Sequence, residues 1–170
     1  MKIFLTGYMG SGKSVIGKKL AESLKYSYVD LDEQIEVIEG MRIDDIFNEK
    51  GELYFRKLEN KILMDVLEET ADLVVSLGGG TPCYGDNFEE IKNSGKTIYL
   101  KASVQELTER LFPEKLYRPV ISHLETRELL EEFVRKHLFE RAFYYNQSDI
   151  IVKVDKKKPE EIVREIEEKL

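Results

Sequence analysis

Gly7-Tyr8-Met9-Gly10-Ser11-Gly12-Lys13-Ser14 decides how the rest of the chain is read. The stretch fits G-x-x-x-x-G-K-[ST]. Its flanks fit as well, because the apolar run Ile3-Phe4-Leu5 precedes it and Ile16, Leu20 and Leu24 follow at helical spacing. Strand, glycine loop and helix form the setting in which this motif cradles phosphates. Glycine lets successive backbone N–H groups come close to a triphosphate. The following helix adds unpaired N–H groups and the positive end of its dipole. Lys13 is placed to reach the β- and γ-phosphates and Ser14 to ligate Mg²⁺. The competing reading is an ordinary glycine-rich turn, against which order, spacing and flanks all argue. By itself the loop specifies a nucleotide-phosphate site and leaves kinase, GTPase and motor open.

Composition narrows the setting. A chain of 170 residues with 42% hydrophobic content is expected to form one domain with a sizeable core. Its 26 basic and 33 acidic side chains give a net charge of −7, which argues against a general nucleic-acid or membrane-surface role. Cys83 is the only cysteine, so a reducing cytoplasm is the expected location. The few residues before Gly7 are too short for a signal peptide, and no apolar run approaches the roughly 20 residues of a membrane span.

Strand-like and helix-like segments alternate outward from the loop. Strands are expected at Lys2–Thr6, Tyr28–Leu31, Leu73–Leu77, Thr97–Leu100 and Asp149–Val154. Helices are expected at Lys13–Leu24, 33–38, 42–49, Glu52–Glu69, 87–93, 104–111, Glu125–Tyr144 and Pro159–Leu170, and residues 112–124 show no clean period. Short apolar strands alternating with helices predict an α/β fold, a parallel sheet covered on both faces. Ligands bind such sheets at the carboxyl ends of the strands, so the residues after each strand are expected to carry the chemistry.

Three groups meet that expectation. Asp30 and Asp32 follow the second strand, and alternation would put them on one side of an extended chain. One carboxylate suits the Mg²⁺ shell and the other a substrate hydroxyl, with a helix N-cap as the competing reading for Asp32. Gly78-Gly79-Gly80 ends the third strand, where close approach of backbone to a ligand competes with a mobile loop. No aspartate ends that strand, which leaves Asp30 as the best metal-linked carboxylate. The third group is arginines. Arg56 and Arg141 sit on apolar helix faces, where a lone arginine is usually a rim residue and two in a cleft could clamp a carboxylate or phosphate. Glu59, one turn after Arg56, is placed to orient it. Arg118, in Tyr117-Arg118-Pro119, suits a lid closing over a transferring phosphate, against a plain surface arginine. His123 and His137 have no metal-ligand spacing with Cys83 and are expected to be structural or surface residues.

Taken in order, GYMGSGKS at 7–14, VDLD at 29–32, FRKLE at 55–59, SLGGG at 76–80, RP at 118–119 and ERAFYY at 140–145 resemble the shikimate kinase family, in the nucleoside-monophosphate-kinase branch of the P-loop fold. The resemblance runs over essentially the whole chain. It implies a three-layer α/β/α P-loop kinase with a five-stranded parallel sheet, a mobile lid at about 112–124 and a substrate-binding helical region at about 32–60. It also implies transfer of phosphate from ATP to the 3-hydroxyl of shikimate, with Mg²⁺, by a cytoplasmic monomer. On that pattern Gly10, Ser11, Gly12, Lys13, Ser14 and Val15 would hold the nucleotide phosphates. Arg110 would stack on adenine, and the turn near Lys156–Pro159 would supply the other wall. Ser14 and Asp30 would serve the metal. Asp32 would grip the ring hydroxyls, Arg56 and Arg141 the carboxylate, and Gly78, Gly79 and Gly80 would give backbone contacts to substrate. Lys13, Asp32 and Arg118 would be the catalytic set. Val120-Ile121 replaces the family's usual leucines, a conservative departure. Kinases of other small hydroxylated acids, such as gluconate, are the nearest alternative. A GTP switch lacks its DxxG and N-K-x-D signals here, and a dead nucleotide-binding module is disfavoured because Lys13, Asp32 and Arg118 are all present.

Overall fold

A computed structural model describes residues 1–170. Five parallel strands, β1 (Lys2–Thr6), β2 (Ser27–Asp30), β3 (Leu73–Ser76), β4 (Lys96–Lys101) and β5 (Ile150–Lys153), lie in the order β2-β3-β1-β4-β5. The helices are α1 (Lys13–Leu24), α2 (Leu31–Glu39), α3 (Ile43–Lys50), α4 (Glu52–Glu68), α5 (Asn87–Ser94), α6 (Val104–Leu111), α7 (Pro119–Ser122), α8 (Arg127–Tyr145) and α9 (Pro159–Lys169). None is long and apolar enough to cross a membrane.

The core has two parts, one on each face of the sheet. Ile3 and Leu5 of β1 pack with Ile16 and Leu20 of α1, Leu107 of α6, Val134 of α8 and Ile166 of α9. Phe4, between them, faces the opposite cluster with Leu31, Ile35, Ile46, Phe55 and Leu63 from α2, α3 and α4. This alternation along β1 is what a strand buried on both faces requires. β1 is the central strand, so the loop that follows it emerges in the middle of the carboxyl edge. Gly10 at φ +80° and Gly12 at φ +97° wrap that loop into the first turn of α1, in a region that side chains rarely adopt.

Some expectations need correction. β2 ends at Asp30 rather than Leu31, because the Asp30 carboxylate accepts from Asp32 N (3.1 Å) and Glu33 N (3.3 Å) and starts α2 there. The N-cap is therefore Asp30, not Asp32, and strand alternation does not relate the two. α8 starts at Arg127 rather than Glu125, since Thr126 caps it through Leu129 N at 3.2 Å. A 3₁₀ turn at Thr81–Cys83 continues the glycine triplet, where no element was expected. Residues 112–124 hold a second 3₁₀ turn, Lys115–Tyr117, and α7, which opens on Pro119.

Candidate active site

The carboxyl edge of the sheet opens into a cavity of about 750 Å³. Gly10, Gly12, Lys13, Ser14 and Val15 line it from the phosphate loop and α1. Asp30 and Asp32 line it from the β2–α2 junction, Gly79 from beyond β3, and Arg110 and Arg118 from α6 and the 112–124 segment. Ser11 is buried within the loop, where its backbone N–H donates to Tyr8 O at 3.1 Å.

Lys13 Nζ donates to Gly7 O at 2.8 Å and to Tyr8 O at 3.1 Å, so the ammonium is held against its own loop. Burial lowers its pKa to about 8, against the pull of Asp32 and Asp30. Burial, followed by the Asp30 charge, pushes Asp32 up to about 6, while Lys13 pulls it back. Ser14 Oγ donates to Asp30 Oδ2 at 2.6 Å. The Tyr28 hydroxyl lies 3.2 Å from the same oxygen and 3.0 Å from Ser76 Oγ, and Ser76 Oγ donates to Lys13 O at 2.9 Å. The Ser14 hydroxyl and Asp30 carboxylate are hard oxygen donors suited to Mg²⁺. No group of three or more His, Cys, Asp and Glu side chains forms a protein-only metal cage. Donors this few fit an ion that completes its shell with water and substrate phosphates.

A second cluster adjoins the cavity around the glycine triplet. Arg56 Nη1 donates to Glu59 Oε1 at 2.9 Å, and Thr81 Oγ1 donates to Glu59 Oε2 at 2.8 Å. A Cβ on Gly80 would lie 2.8 Å from Arg56 Nη2 and 3.2 Å from Arg141 Nη2. A Cβ on Gly79 would lie 3.0 Å from Arg141 Nη1, and one on Gly78 would lie 2.8 Å from Asp32 Oδ1. The absence of three side chains is what lets Asp32, Arg56 and Arg141 converge on one stretch of backbone. Tyr145 OH fixes that backbone by donating to Gly79 O at 2.5 Å.

Arg110 Nη1 donates to Gly10 O at 3.1 Å and is oriented by Glu106 at 3.0 Å. Arg118 is paired with Glu114 at 3.1 Å. Residues 156–159 are not among those that line this cavity. His137 Nδ1 is 2.9 Å from the Tyr8 hydroxyl and makes a structural contact, and His123 is exposed. Sequence reasoning missed Tyr28, Ser76, Thr81 and Tyr145. Ser76 was open to the strand-end rule, as the last residue of β3; Tyr28 lies two residues before Asp30 and Tyr145 one turn after Arg141.

A model of the family described as shikimate kinase matches residues 9–170. The chain belongs to the shikimate kinase family. A shikimate kinase of Flavobacterium johnsoniae is 41% identical over 166 residues, 97% of this chain and 96% of that protein. The crystal structure of shikimate kinase from Bacteroides thetaiotaomicron superposes with a TM-score of 0.89 at 35% identity, covering 99% of this chain and 96% of that one. The Acinetobacter baumannii shikimate kinase, solved in complex with shikimate, gives a TM-score of 0.88 at 30% identity over 98% of this chain and 90% of that one. The fold is thus that of the P-loop shikimate kinases, as the resemblance implied.

Proposed function

We infer that this chain transfers the γ-phosphoryl group of ATP to shikimate, at the 3-hydroxyl, in the pathway to aromatic amino acids. One observation carries the reading. The phosphate-loop cavity and the cluster of Asp32, Arg56 and Arg141 meet at Gly78–Gly80, which puts a triphosphate cradle beside a site for a small hydroxylated acid.

The donor half is the loop, with Gly10, Ser11, Gly12, Lys13, Ser14 and Val15 around the phosphates and Arg110 beside the base. In the acceptor half, Arg56 and Arg141 hold the carboxylate by charge-assisted bonds while Asp32 orients the ring hydroxyls. Asp32, its pKa pushed up to about 6, is an effective acceptor for the hydroxyl proton near neutral pH. Lys13 and Arg118 stabilise charge on the transferring group, and the 112–124 segment acts as the lid that carries Arg118 inward and excludes water. The helical region at about 32–60 supplies the substrate side. Ser14 and Asp30, in contact at 2.6 Å, would hold Mg²⁺. When bound, the ion neutralises phosphate charge and aligns the triphosphate. Both halves come from one chain, which supports action as a monomer, and the single cysteine supports a cytoplasmic location.

The test is ADP release from ATP·Mg²⁺ with shikimate, quinate and gluconate as separate acceptors. Shikimate-dependent release well above the other two is expected. A chain that releases ADP with gluconate and not with shikimate overturns the reading.

A further inference from the structure

Arg56 is held by more than its ion pair with Glu59. Its Nε is buried without a hydrogen-bond partner, and its side chain is only 15% exposed. Three aromatic rings surround the guanidinium. Its central carbon lies 5.9 Å from the ring centre of Phe47, 5.1 Å from Phe55 and 3.8 Å from Tyr84. Phe47 and Phe55 pack on each other at 4.5 Å and belong to the helical wall. Tyr84 differs from them. It follows the Thr81–Cys83 turn, so the chain that supplies Gly78–Gly80 also lays this ring on the guanidinium. Its hydroxyl donates to Glu52 Oε1 at 2.8 Å, and that oxygen lies 3.8 Å from Arg56 Nε. Glu52 thus pins the ring and adds a negative charge on the Nε side.

We propose that Tyr84 is a positioning residue for the acid substrate: stacked on Arg56 and pinned by Glu52, it fixes the plane of the guanidinium and keeps water off it, so that the Nη2 edge above Gly80 presents a dry, pre-aimed donor to a carboxylate. The inference rests on the carboxylate clamp assigned above. Stacking suits this task because an arginine binds an anion in its own plane and offers its face to a ring. A ring on the face leaves the in-plane donor free. It also lowers the local dielectric, which strengthens a charge-assisted hydrogen bond. Arg56 Nη1 is committed to Glu59. Nη2 lies 2.8 Å from where a Gly80 Cβ would stand, on the side shared with Arg141. A carboxylate placed there would meet both arginines.

Tyr84 is exposed at 37%, so its replacement leaves the core intact. The experiment compares wild type, Tyr84→Phe and Tyr84→Ala, with shikimate and with its methyl ester, which lacks the carboxylate charge. For Tyr84→Ala the shikimate KM is expected to rise about tenfold, the loss set by one desolvated cation–π contact. The kcat and the KM for ATP stay within about twofold, as the loss of a binding contact alone requires. Tyr84→Phe keeps the ring and restores most of the affinity. With the methyl ester, wild type and Tyr84→Ala converge. Wild-type shikimate KM in Tyr84→Ala overturns the proposal. So does a Tyr84→Phe variant as impaired as Tyr84→Ala, or a matching loss of ATP affinity, which marks a merely structural role. An inactive wild type is a different result: it overturns the assigned activity itself, and this inference falls with it.

Discussion

Asp30 and Ser14 meet at 2.6 Å, with the hydroxyl of the phosphate loop donating to the carboxylate at the end of β2. The other oxygen of the same carboxylate accepts the first free N–H groups of α2. One side chain therefore caps a helix and, on the proposed mechanism, also serves the metal, and the two roles can be separated. Asn caps a helix as well as Asp does but carries no charge. Asp30→Asn is expected to keep the thermal midpoint and to raise the Mg²⁺ concentration needed for half-maximal activity. Asp30→Ala is expected to show the same Mg²⁺ defect and also to lose about 1 kcal/mol of stability. Thermal melts with Mg²⁺ titrations of both variants check this, and equal melting of the two would remove the capping role.

Asp32 and Arg118 both line the cavity, and the proposed mechanism gives each a separate part in the transfer. Asp32→Asn removes the proton acceptor while keeping the shape, so kcat is expected to fall about 10²- to 10⁴-fold with the fold intact. On the proposed mechanism, Arg118→Ala removes the positive charge that would face the transferring phosphoryl group. Its kcat is expected to fall about 10²-fold or more while the KM values change little. Steady-state kinetics with both substrates varied separates these outcomes, and near-normal turnover in either variant removes that residue from the chemistry.

Arg56 and Arg141 were equivalent in sequence, as two arginines on apolar stripes. In the folded chain they differ. Arg56 neutralises Glu59, which is 1% exposed and otherwise meets only the Thr81 hydroxyl. Arg141 has no ion-pair partner of that kind. Both alanine variants are expected to raise the shikimate KM and spare ATP. Only Arg56→Ala strands a buried carboxylate, at a cost of about 3 kcal/mol. Adding Glu59→Ala is expected to restore part of the thermal midpoint without restoring KM. Thermal melts and steady-state kinetics of the single and double variants are the check.

The order of elements was legible because each local signal agreed with its neighbours. The β1 and α1 bounds are those expected from Lys2–Thr6 and Lys13–Leu24. What escaped depends on which partner a side chain finds, nearby or distant in the chain. Asp30 and Asp32 come together through a capped turn and not through strand alternation, a difference decided by one side chain accepting two backbone N–H groups. In sequence the glycine triplet signals room for a ligand; in the fold Asp32, Arg56 and Arg141 stand in that room. Tyr28, Tyr84 and Tyr145 carry no local pattern. Tyr28 and Tyr145 act through hydroxyls that meet Ser76 Oγ and Gly79 O, and Tyr84 through a ring laid on Arg56, all set by tertiary packing.

His137 gives the fold a pH dependence. Its Nδ1 faces the Tyr8 hydroxyl, and burial, followed by the charge of Arg141, lowers its pKa to about 4. An unfolded chain protonates this ring near pH 6.5 or so. Between about pH 6.5 and 4 the unfolded state therefore binds the extra proton, and stability falls as pH drops through that window. His137→Asn keeps an acceptor for Tyr8 and cannot titrate. Urea midpoints measured from pH 7 to pH 4 are expected to fall more steeply for wild type than for this variant. Parallel slopes would exclude His137 as the source.

Gly80 and Gly12 are glycines for different reasons, and alanine tells them apart. Gly80 lies at φ −92°, ψ −12°, a conformation open to any residue. What excludes a side chain is space, since a Cβ would stand 2.8 Å from Arg56 Nη2 and 2.9 Å from Nη1. Arg56 cannot simply swing aside, because Glu59 holds Nη1 and Tyr84 covers its face. Gly80→Ala is therefore expected to raise the shikimate KM about tenfold or more, the loss of one charge-assisted contact, with the ATP KM unchanged. Gly12 lies at φ +97°, and a Cβ there meets nothing closer than 3.9 Å. Its cost is backbone strain, about 1–2 kcal/mol. Gly12→Ala should appear as a lower thermal midpoint and weaker ATP binding, with the acceptor site spared. If Gly80→Ala weakened ATP instead of shikimate, the triplet would belong to the donor half of the site, and the convergence of Asp32, Arg56 and Arg141 upon it would need another purpose.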